Sequence, residues 1–572
     1  MTAEQPVAKI KNSMDRWLDK PVFHFWPNFS IEKLLIILII SLTIVSRFYD
    51  LGARVMAHDE VNHVVPSFDL YEGRGYSYDP VTHGPFQFHM IALSYFMFGD
   101  NDFSSRLPHA LFGIAVVLFA LFAWRRYLGR AGALVAGLFF MISPFMLFYS
   151  RYARNEIFIV FWGLVMLWSF LRYLEDGKTK WLILLTMITA LHYSDKATSY
   201  IFTAEALIFL AILFIVQVIK PAWKKAHLKP IFLVLVAIVI LAVAVSFTLN
   251  MTADGAADLA SSTGAETITD TTSRLPMLIG FGLALLALVA ALVTLVLGAG
   301  FPNIRKVRTF DLLILQISLV LPLLSAAVIS LIGFNPLDYT QEGMIRSALV
   351  IVPMALLSVF IGLLWNRKVW VKCAVIFWSI FLVFYTTFFT RGDGFFVGLM
   401  GALGYWMSQQ AVQRGTQPLY YYALVQIPIY EFLPVIGTTI ALVIGVSKRL
   451  MISTPGAPFV PSIDESPSDT LTPSIIDTAQ NLVAGEPEEP ETEAALEQIP
   501  EFLPAKPRKH LFTDPPSTAG EPQPVPTLIL LLFWSLISLV AFSLAGERMP
   551  WLTTHIALPL ILTAAFGIGY LL

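Results

Sequence analysis

Between the first two long apolar runs lies a polar stretch, 51–106, reading LGARVMAHDEVNHVVPSFDLYEGRGYSYDPVTHGPFQFHMIALSYFMFGDNDFSSR. It opens on His58-Asp59-Glu60, places His63 four residues after Asp59, and later carries His83-Gly84-Pro85 and His89. Neighbours on a helix point about 100° apart, so Asp59 and Glu60 do not aim at one atom, whereas Asp59 and His63 share a face. A carboxylate held there can take a proton from a hydroxyl nucleophile. The same residue type also serves as a helix cap or a solvated loop carboxylate. Carboxylate and imidazole together suit a divalent metal, which makes Glu60, His58, His63 and His83 candidate ligands. The HExxH spacing is absent.

Other polar clusters stand at the ends of apolar runs. Tyr149-Ser150-Arg151-Tyr152-Ala153-Arg154-Asn155-Glu156 brings two arginines and a glutamate against one of them. The planar fork of arginine suits phosphate. His192-Tyr193-Ser194-Asp195-Lys196 offers Lys196 as a point charge for phosphate, or as a partner of Asp195. Glu205 falls within a run, where a charge is expensive and calls for a cavity or a cation such as Lys196. The segment 391–427 is too polar to span cleanly and reads as helices in the interface, with Trp406 and Tyr420 to Tyr422 at headgroup level. Its Gln409, Gln410, Arg414 and Gln417 suit sugar hydroxyls or phosphate. Gly546 to His555 adds Glu547, Arg548 and His555.

The elements that must position these residues are membrane helices. Of 572 residues, 56% are hydrophobic and 14% charged, against about 25% charged in soluble domains. About 20 apolar residues cross a bilayer, and about fourteen such runs occur, near 33–49, 107–124, 131–150, 157–174, 181–195, 199–219, 230–250, 275–298, 310–333, 346–365, 370–390, 428–447, 527–545 and 555–572. The runs are long and continuous, which excludes a strand barrel. The expected fold is therefore all-α, a polytopic transmembrane bundle with interfacial helices in its outer loops. Lys and Arg alternate between connections: 1–32 and every second loop are basic, which places the N-terminus in the cytoplasm and the polar clusters outside. The plasma membrane is the expected location. A net charge of −2 gives no support to a nucleic-acid partner, and Cys373 alone makes no intrachain disulfide. The expected organisation is a tail (1–32), a first membrane module (33–250), a second (251–451), a disordered Pro- and acid-rich cytoplasmic linker (452–526) and a C-terminal helical hairpin (527–572). The last run reaches Leu572 without flanking Lys or Arg, as in a fragment of a longer protein or a helix that ends there. Gly280-Phe281-Gly282 lacks a third glycine and is not a nucleotide loop.

The Asp-Glu pair in the first outer loop, followed by the R-Y-A-R-N-E turn after the third span, resembles the GT-C superfamily of polyprenyl-phosphate-sugar glycosyltransferases, near the protein O-mannosyltransferases (PMT) and the lipid A aminoarabinose transferase. GERMPWLTTH and RGTQPLYYY look like the bacterial and archaeal branch labelled flippase-activity-associated proteins. The resemblance implies an inverting transfer of sugar from a polyprenyl phosphate to a hydroxyl of protein, glycan or lipid on the extracytoplasmic face. It implies Asp59 as the acid that activates the acceptor and Glu60 as its companion. Arg151, Arg154 and Glu156 would line the lipid-phosphate site, with Lys196 neutralising the leaving phosphate and Arg548 and His555 as weaker contributors. His58, His63, His83, Arg414, Glu547 and His555 are candidates for holding acceptor or sugar. The rival reading is a lipid-linked-saccharide flippase, or its accessory, without bond chemistry.

Overall fold

In the computed structural model the described residues are 13–262, 275–410, 417–448, 523–546 and 548–572. A short helix α1 (Ser13–Leu18) and an antiparallel hairpin, β1 (Pro21–Phe23) with β2 (Trp26–Ser30), precede the first long helix, α2 (Ile31–Phe48). The polar stretch then folds into α3 (His58–Tyr71) and α4 (Phe86–Phe98). The chain continues through α5 (Asp102–Phe122), α6 (Arg125–Ile142), α7 (Pro144–Tyr149), α8 (Glu156–Asp176), α9 (Thr179–Tyr193) and α10 (Ser199–Ile219). Next come α11 (Leu228–Ser262), α12 (Leu275–Ala299), α13 (Arg308–Val320), α14 (Gln341–Tyr385), α15 (Asp393–Gln410) and α16 (Phe432–Ser447). The last two long helices are α17 (Thr527–Leu544) and α18 (Thr553–Leu571). The all-α expectation is met.

Among the described residues nine helices are long and apolar enough to cross a membrane, or ten if the pair Tyr421–Tyr430 and Phe432–Ser447, bent by 106°, is one span. Each of the fourteen expected ranges is largely helical. The count differs because α2 and α6 each carry three charged residues, α9 has 15 residues, and α14 is two helices meeting at Asn366 (φ −158°, ψ 96°). At that joint Gly362 lies against the Trp370 indole, where a Cβ would come within 2.1 Å of it.

Burial sorts the helices. Counting buried residues in the apolar window, the stretch holding α18 is 89% enclosed and α8 83%, while α11 is 11% and α12 22%. Helices α8 and α18 thus form the centre. The α11–α12 pair packs against itself and turns Leu241, Leu285 and Leu286 outward. In a bilayer such a surface meets lipid without penalty. Some buried polar groups find backbone partners on neighbouring helices: Arg47 donates to the Met141 and Phe140 carbonyls, at 2.7 and 2.9 Å, in the last turn of α6. At the other end of the bundle, Asp311 accepts from the Tyr173 hydroxyl and, at 2.7 Å, from the Trp365 indole. Glu205 accepts from Ser538 at 3.1 Å, so its partner is a hydroxyl and not the cation that the sequence suggested. The 452–522 part of the expected linker, most of the 251–274 loop, Arg414 and Glu547 lie outside the described residues or have undescribed side chains.

Candidate active site

Glu60 is fully buried. One carboxylate oxygen accepts from Arg106 Nε at 2.8 Å and the Ala153 amide at 3.0 Å. The other accepts from Arg106 and Arg54, both at 2.9 Å, and from the Ala57 amide at 3.1 Å, which also closes the first turn of α3. Burial pushes this carboxyl up, yet Arg106 and the two amides outweigh it and hold it below the usual carboxylate range. Arg106 spends further donors on the Leu51 and Arg54 carbonyls at 3.0 and 2.9 Å. Glu60 is therefore a clasp that fixes the start of α3 to α5 and to the turn before α8. It lines neither of the two pockets that adjoin Asp59 and Lys196, and stands behind Asp59 rather than beside it.

The clasp orients its neighbour. Asp59, one residue back and about 100° around the helix, points into a cavity of about 330 Å³. Its carboxylate accepts from Arg154, whose guanidinium lies 3.7 Å over the Trp551 ring. Arg154 Nε also reaches Glu156 at 3.3 Å, and the same Glu156 oxygen takes the Lys196 ammonium. Glu156 is fully enclosed behind the cavity wall, while Asp59, Arg154 and Lys196 line it. Two carboxylates and two cations thus alternate, Asp59–Arg154–Glu156–Lys196, with Glu156 as the buried link.

His63 and His83 complete this side. Their rings stack at 6.2 Å, and both line the cavity. Burial, together with Arg154, lowers the His63 pKa to about 3, so it is a neutral imidazole. His83 has φ 73° and ψ −164°, a combination otherwise left to glycine. It is held there because the Gly84 amide donates to the Asp195 carbonyl at 2.8 Å and the Phe86 amide to the Ser194 carbonyl at 2.9 Å. Gly84 must stay bare, since a Cβ would meet the Ser194 carbonyl oxygen at 2.4 Å. Asn155 locks the same corner by donating to Asp195 Oδ1 at 2.7 Å. The turn before α8, the turn after α9 and the 80–85 segment therefore share one backbone joint.

The opposite wall is aromatic. Tyr78, Tyr193 and Tyr385 stand on one flank, Tyr405 and Trp406 of α15 on another, and Trp551 before α18 on the third. Tyr385 is fixed by a 2.8 Å bond to the Tyr193 carbonyl and an edge contact with Tyr78. A second, narrow pocket adjoins the first and shares His83, Lys196, Ala197, Trp406 and Trp551 with it. Its remaining lining includes Ile201 at the start of α10, Phe542 and Ala545 at the end of α17, and Leu552 just before α18.

The sequence named Asp59, Arg154, Lys196, His63 and His83, and these the structure brings to one cavity. Others it places elsewhere. Arg151 donates to the Ser46 and Tyr49 carbonyls at the end of α2, both at 2.6 Å. Arg548 donates to the Ser543 and Gln417 carbonyls at 2.9 and 2.7 Å. His58 is exposed at the first turn of α3. His555 is enclosed, its ring stacked on Phe542 at 5.2 Å. The metal set of Glu60, His58, His63 and His83 does not assemble, because Arg106, Arg54 and backbone amides occupy Glu60. Among the described residues no three His, Cys, Asp or Glu side chains are disposed to hold a metal ion. Tyr78, Tyr193, Tyr385 and Trp551 were not singled out from sequence. Aromatic residues beside apolar runs look alike whether they anchor a helix in headgroups or wall a cavity.

Residues 82–248 match the family profile of the dolichyl-phosphate-mannose-protein mannosyltransferases. The resemblance drawn from the R-Y-A-R-N-E turn is thereby shown over that stretch, which takes in His83, Arg154, Glu156 and Lys196. No curated protein matches the chain in sequence. Among solved structures, the apo oligosaccharyltransferase of Archaeoglobus fulgidus is similar with a TM-score of 0.40 and 10% identity, covering 94% of this chain and 50% of its own. The chain thus spans about half the length of that enzyme. ArnT from Cupriavidus metallidurans bound to undecaprenyl phosphate is similar with a TM-score of 0.29 and 15% identity, covering 67% of this chain and 81% of its own. The apo form of that ArnT has a TM-score of 0.28 and 13% identity over 95% of this chain and 78% of its own.

Proposed function

We propose that the protein is a membrane glycosyltransferase that moves a sugar from a polyprenyl-phosphate donor to an acceptor hydroxyl at the extracytoplasmic face. One observation carries the reading: a cavity with aromatic walls that receives the charged side chains of Asp59, Arg154 and Lys196 joins a narrow, largely apolar pocket, and the two share His83 and Lys196. A donor of this class has a polar head, an isoprenoid tail and one phosphate between them. The cavity of about 330 Å³ has room for the sugar, while the pocket of about 30 Å³ marks only the side on which the tail would leave toward lipid, with the phosphate near the junction beside Lys196 and His83.

The chemistry follows from the charge chain. The donor phosphate competes with Asp59 for Arg154, and that exchange frees the Asp59 carboxylate. Asp59 then takes the proton of the acceptor hydroxyl as its oxygen bonds to the anomeric carbon. The bond from that carbon to the phosphate oxygen breaks on the opposite side, its electron pair goes to the phosphate, and the configuration inverts. Lys196 and Arg154 stabilise the charge that grows on the leaving polyprenyl phosphate. Matches to a mannosyltransferase profile over 82–248 support this donor class. The orientation follows from the basic connections at the other end of the bundle.

Removal of a general base costs about 100- to 10,000-fold in rate. Asp59→Asn, purified and assayed for transfer from a polyprenyl-phosphate sugar, is expected to lose activity in that range while folding normally. Near-normal turnover would remove Asp59 from the mechanism.

A further inference from the structure

The end of α2 remote from the cavity carries a feature that the transfer reaction does not use. The β1–β2 hairpin pairs Pro21 with Ser30 and Phe23 with Trp26. Its aromatic rings form a continuous stack: Phe23 on Phe25 at 5.2 Å, Phe23 on Phe29 at 6.1 Å, and Trp26 on Phe29 at 5.5 Å. These rings are turned away from the bundle. Phe25 is 83% exposed and Trp26 57%, and Trp17 of α1 is also exposed.

The hairpin is rigidly seated. Ser30 caps α2, and the Ile31 amide donates to the Lys20 carbonyl at 3.0 Å. Arg130 of α6 bonds Glu32 at 2.6 Å and Asp19 at 2.7 Å, which straps the base of the hairpin to the bundle. Two strands alone are marginal in water, and a contiguous apolar patch facing water marks a surface that something covers.

We infer that this aromatic hairpin is a membrane-interface anchor, seated among the lipid headgroups at the end of the bundle opposite the cavity. The occupant follows from continuity. From its second turn α2 already turns Ile37 and Leu38 outward, on the surface it presents to lipid. The hairpin joins that surface with no intervening linker. The 18 residues of α2 rise about 27 Å, slightly less than a hydrocarbon core of about 30 Å. Both ends of α2 therefore lie at the boundaries, which is the level where tryptophan and other aromatic rings settle. Exposed Lys20 at the base suits lipid phosphate. The consequence reaches the cavity: an anchor at one end of α2 sets the height at which its other end delivers α3 and Asp59.

The test is a depth measurement on the full chain. Cys373 is the one cysteine of the sequence and is fully buried, so Cys373→Ser, or Cys373→Ala if serine disturbs the core, gives a silent background. A nitroxide is placed at Phe25→Cys or His24→Cys, and at Glu72→Cys as a water-exposed reference, in nanodiscs. Collision rates with molecular oxygen and with a water-soluble nickel chelate are compared. The oxygen-to-nickel ratio at 24 and 25 is expected to exceed that at 72 several-fold. A ratio equal to the reference would overturn the anchor, because the rings would then face water. Shielding from both reagents would overturn it equally, because a second copy or another protein would cover them.

Discussion

Glu156 is the residue on which the charge chain turns, and Glu156→Gln tests it. The carboxylate is fully enclosed and holds Arg154 and Lys196, whose side chains are 8% and 4% exposed. Glutamine keeps the shape and one acceptor oxygen but removes the charge. Arg154 retains Asp59 and the face of Trp551, so its loss is partial. Lys196 loses its carboxylate in an enclosed site. Breaking one side of a buried pair typically costs about 3–5 kcal/mol, because the remaining charge is left uncompensated. Glu156→Gln is therefore expected to lower unfolding stability by about 3 kcal/mol. A charge-assisted hydrogen bond to the donor phosphate is worth about 1.5–3 kcal/mol, so a misplaced Lys196 should also cost about 10- to 150-fold in kcat/KM. The decisive comparison is the double variant Glu156→Gln/Lys196→Met, which removes both charges. It should regain most of the lost stability, because a buried pair replaced as a unit is often neutral. Activity should stay low. Both quantities are read on detergent-purified protein by denaturant titration and by transfer from a polyprenyl-phosphate sugar. A single variant that loses less than about 1 kcal/mol, or a double variant no more stable than the single, would refute the view of Glu156 as the buried link.

Three further outcomes follow from particular contacts. Arg106→Met should destabilise by about 3 kcal/mol, the lower end for breaking a buried pair, since Glu60 keeps only the half-exposed Arg54 and two amides; an unchanged melting temperature would sink the clasp. Gly84→Ala should cost about 1–3 kcal/mol and lower kcat/KM, because the new Cβ must push the Ser194 carbonyl and carry His83 with it; Gly282→Ala, where nothing lies within 4 Å, is the matched control and should change neither. His63 gives a pH signature. Its pKa falls from 6.5 in the unfolded chain to about 3 in the native one, so the unfolded state alone binds the proton between those limits and stability is lost as pH drops through them. The slope approaches about 1.4 kcal/mol per pH unit. The stability lost between pH 7 and pH 5 should therefore be smaller in His63→Gln by about 2 kcal/mol, and an unchanged difference would show that His63 is protonated in the native protein.

Much of the site was legible because a membrane chain has few places for polar residues. Asp59, Arg154 and Lys196 stood out as charges at the ends of apolar runs, and the alternation of basic loops put them at one end. The sequence did not say which of two adjacent carboxylates faces the cavity. That choice is made by Arg106, 46 residues from Glu60, and by an amide at Ala153, and a pairing over such distances leaves no local mark. Arg151 and Arg154 posed the same difficulty: three residues apart in one turn, one caps α2 through backbone carbonyls and the other lines the cavity. Glu205 looked like half of an ion pair, yet a serine on α17 serves it. For the fold, run lengths predicted helices well. The break at Asn366 falls between the expected runs 346–365 and 370–390, where Arg367 and Lys368 interrupt the apolar sequence, whereas the 106° bend at Glu431 did not show, since the expected run 428–447 passes straight through it.

The cavity wall is assembled from Asp59, Lys196, Trp406 and Trp551, which enter the membrane far apart in time as well as in sequence. At about 5–20 residues per second of synthesis, Trp551 emerges roughly half a minute to a minute and a half after Asp59. The Glu60–Arg106 clasp can close early, because its partners are made within the first third of the chain. The chamber has no third wall until the final hairpin has been threaded into the bilayer. If the proposed transfer takes place in this chamber, a nascent chain folded at its front end stays idle until the last two helices close it.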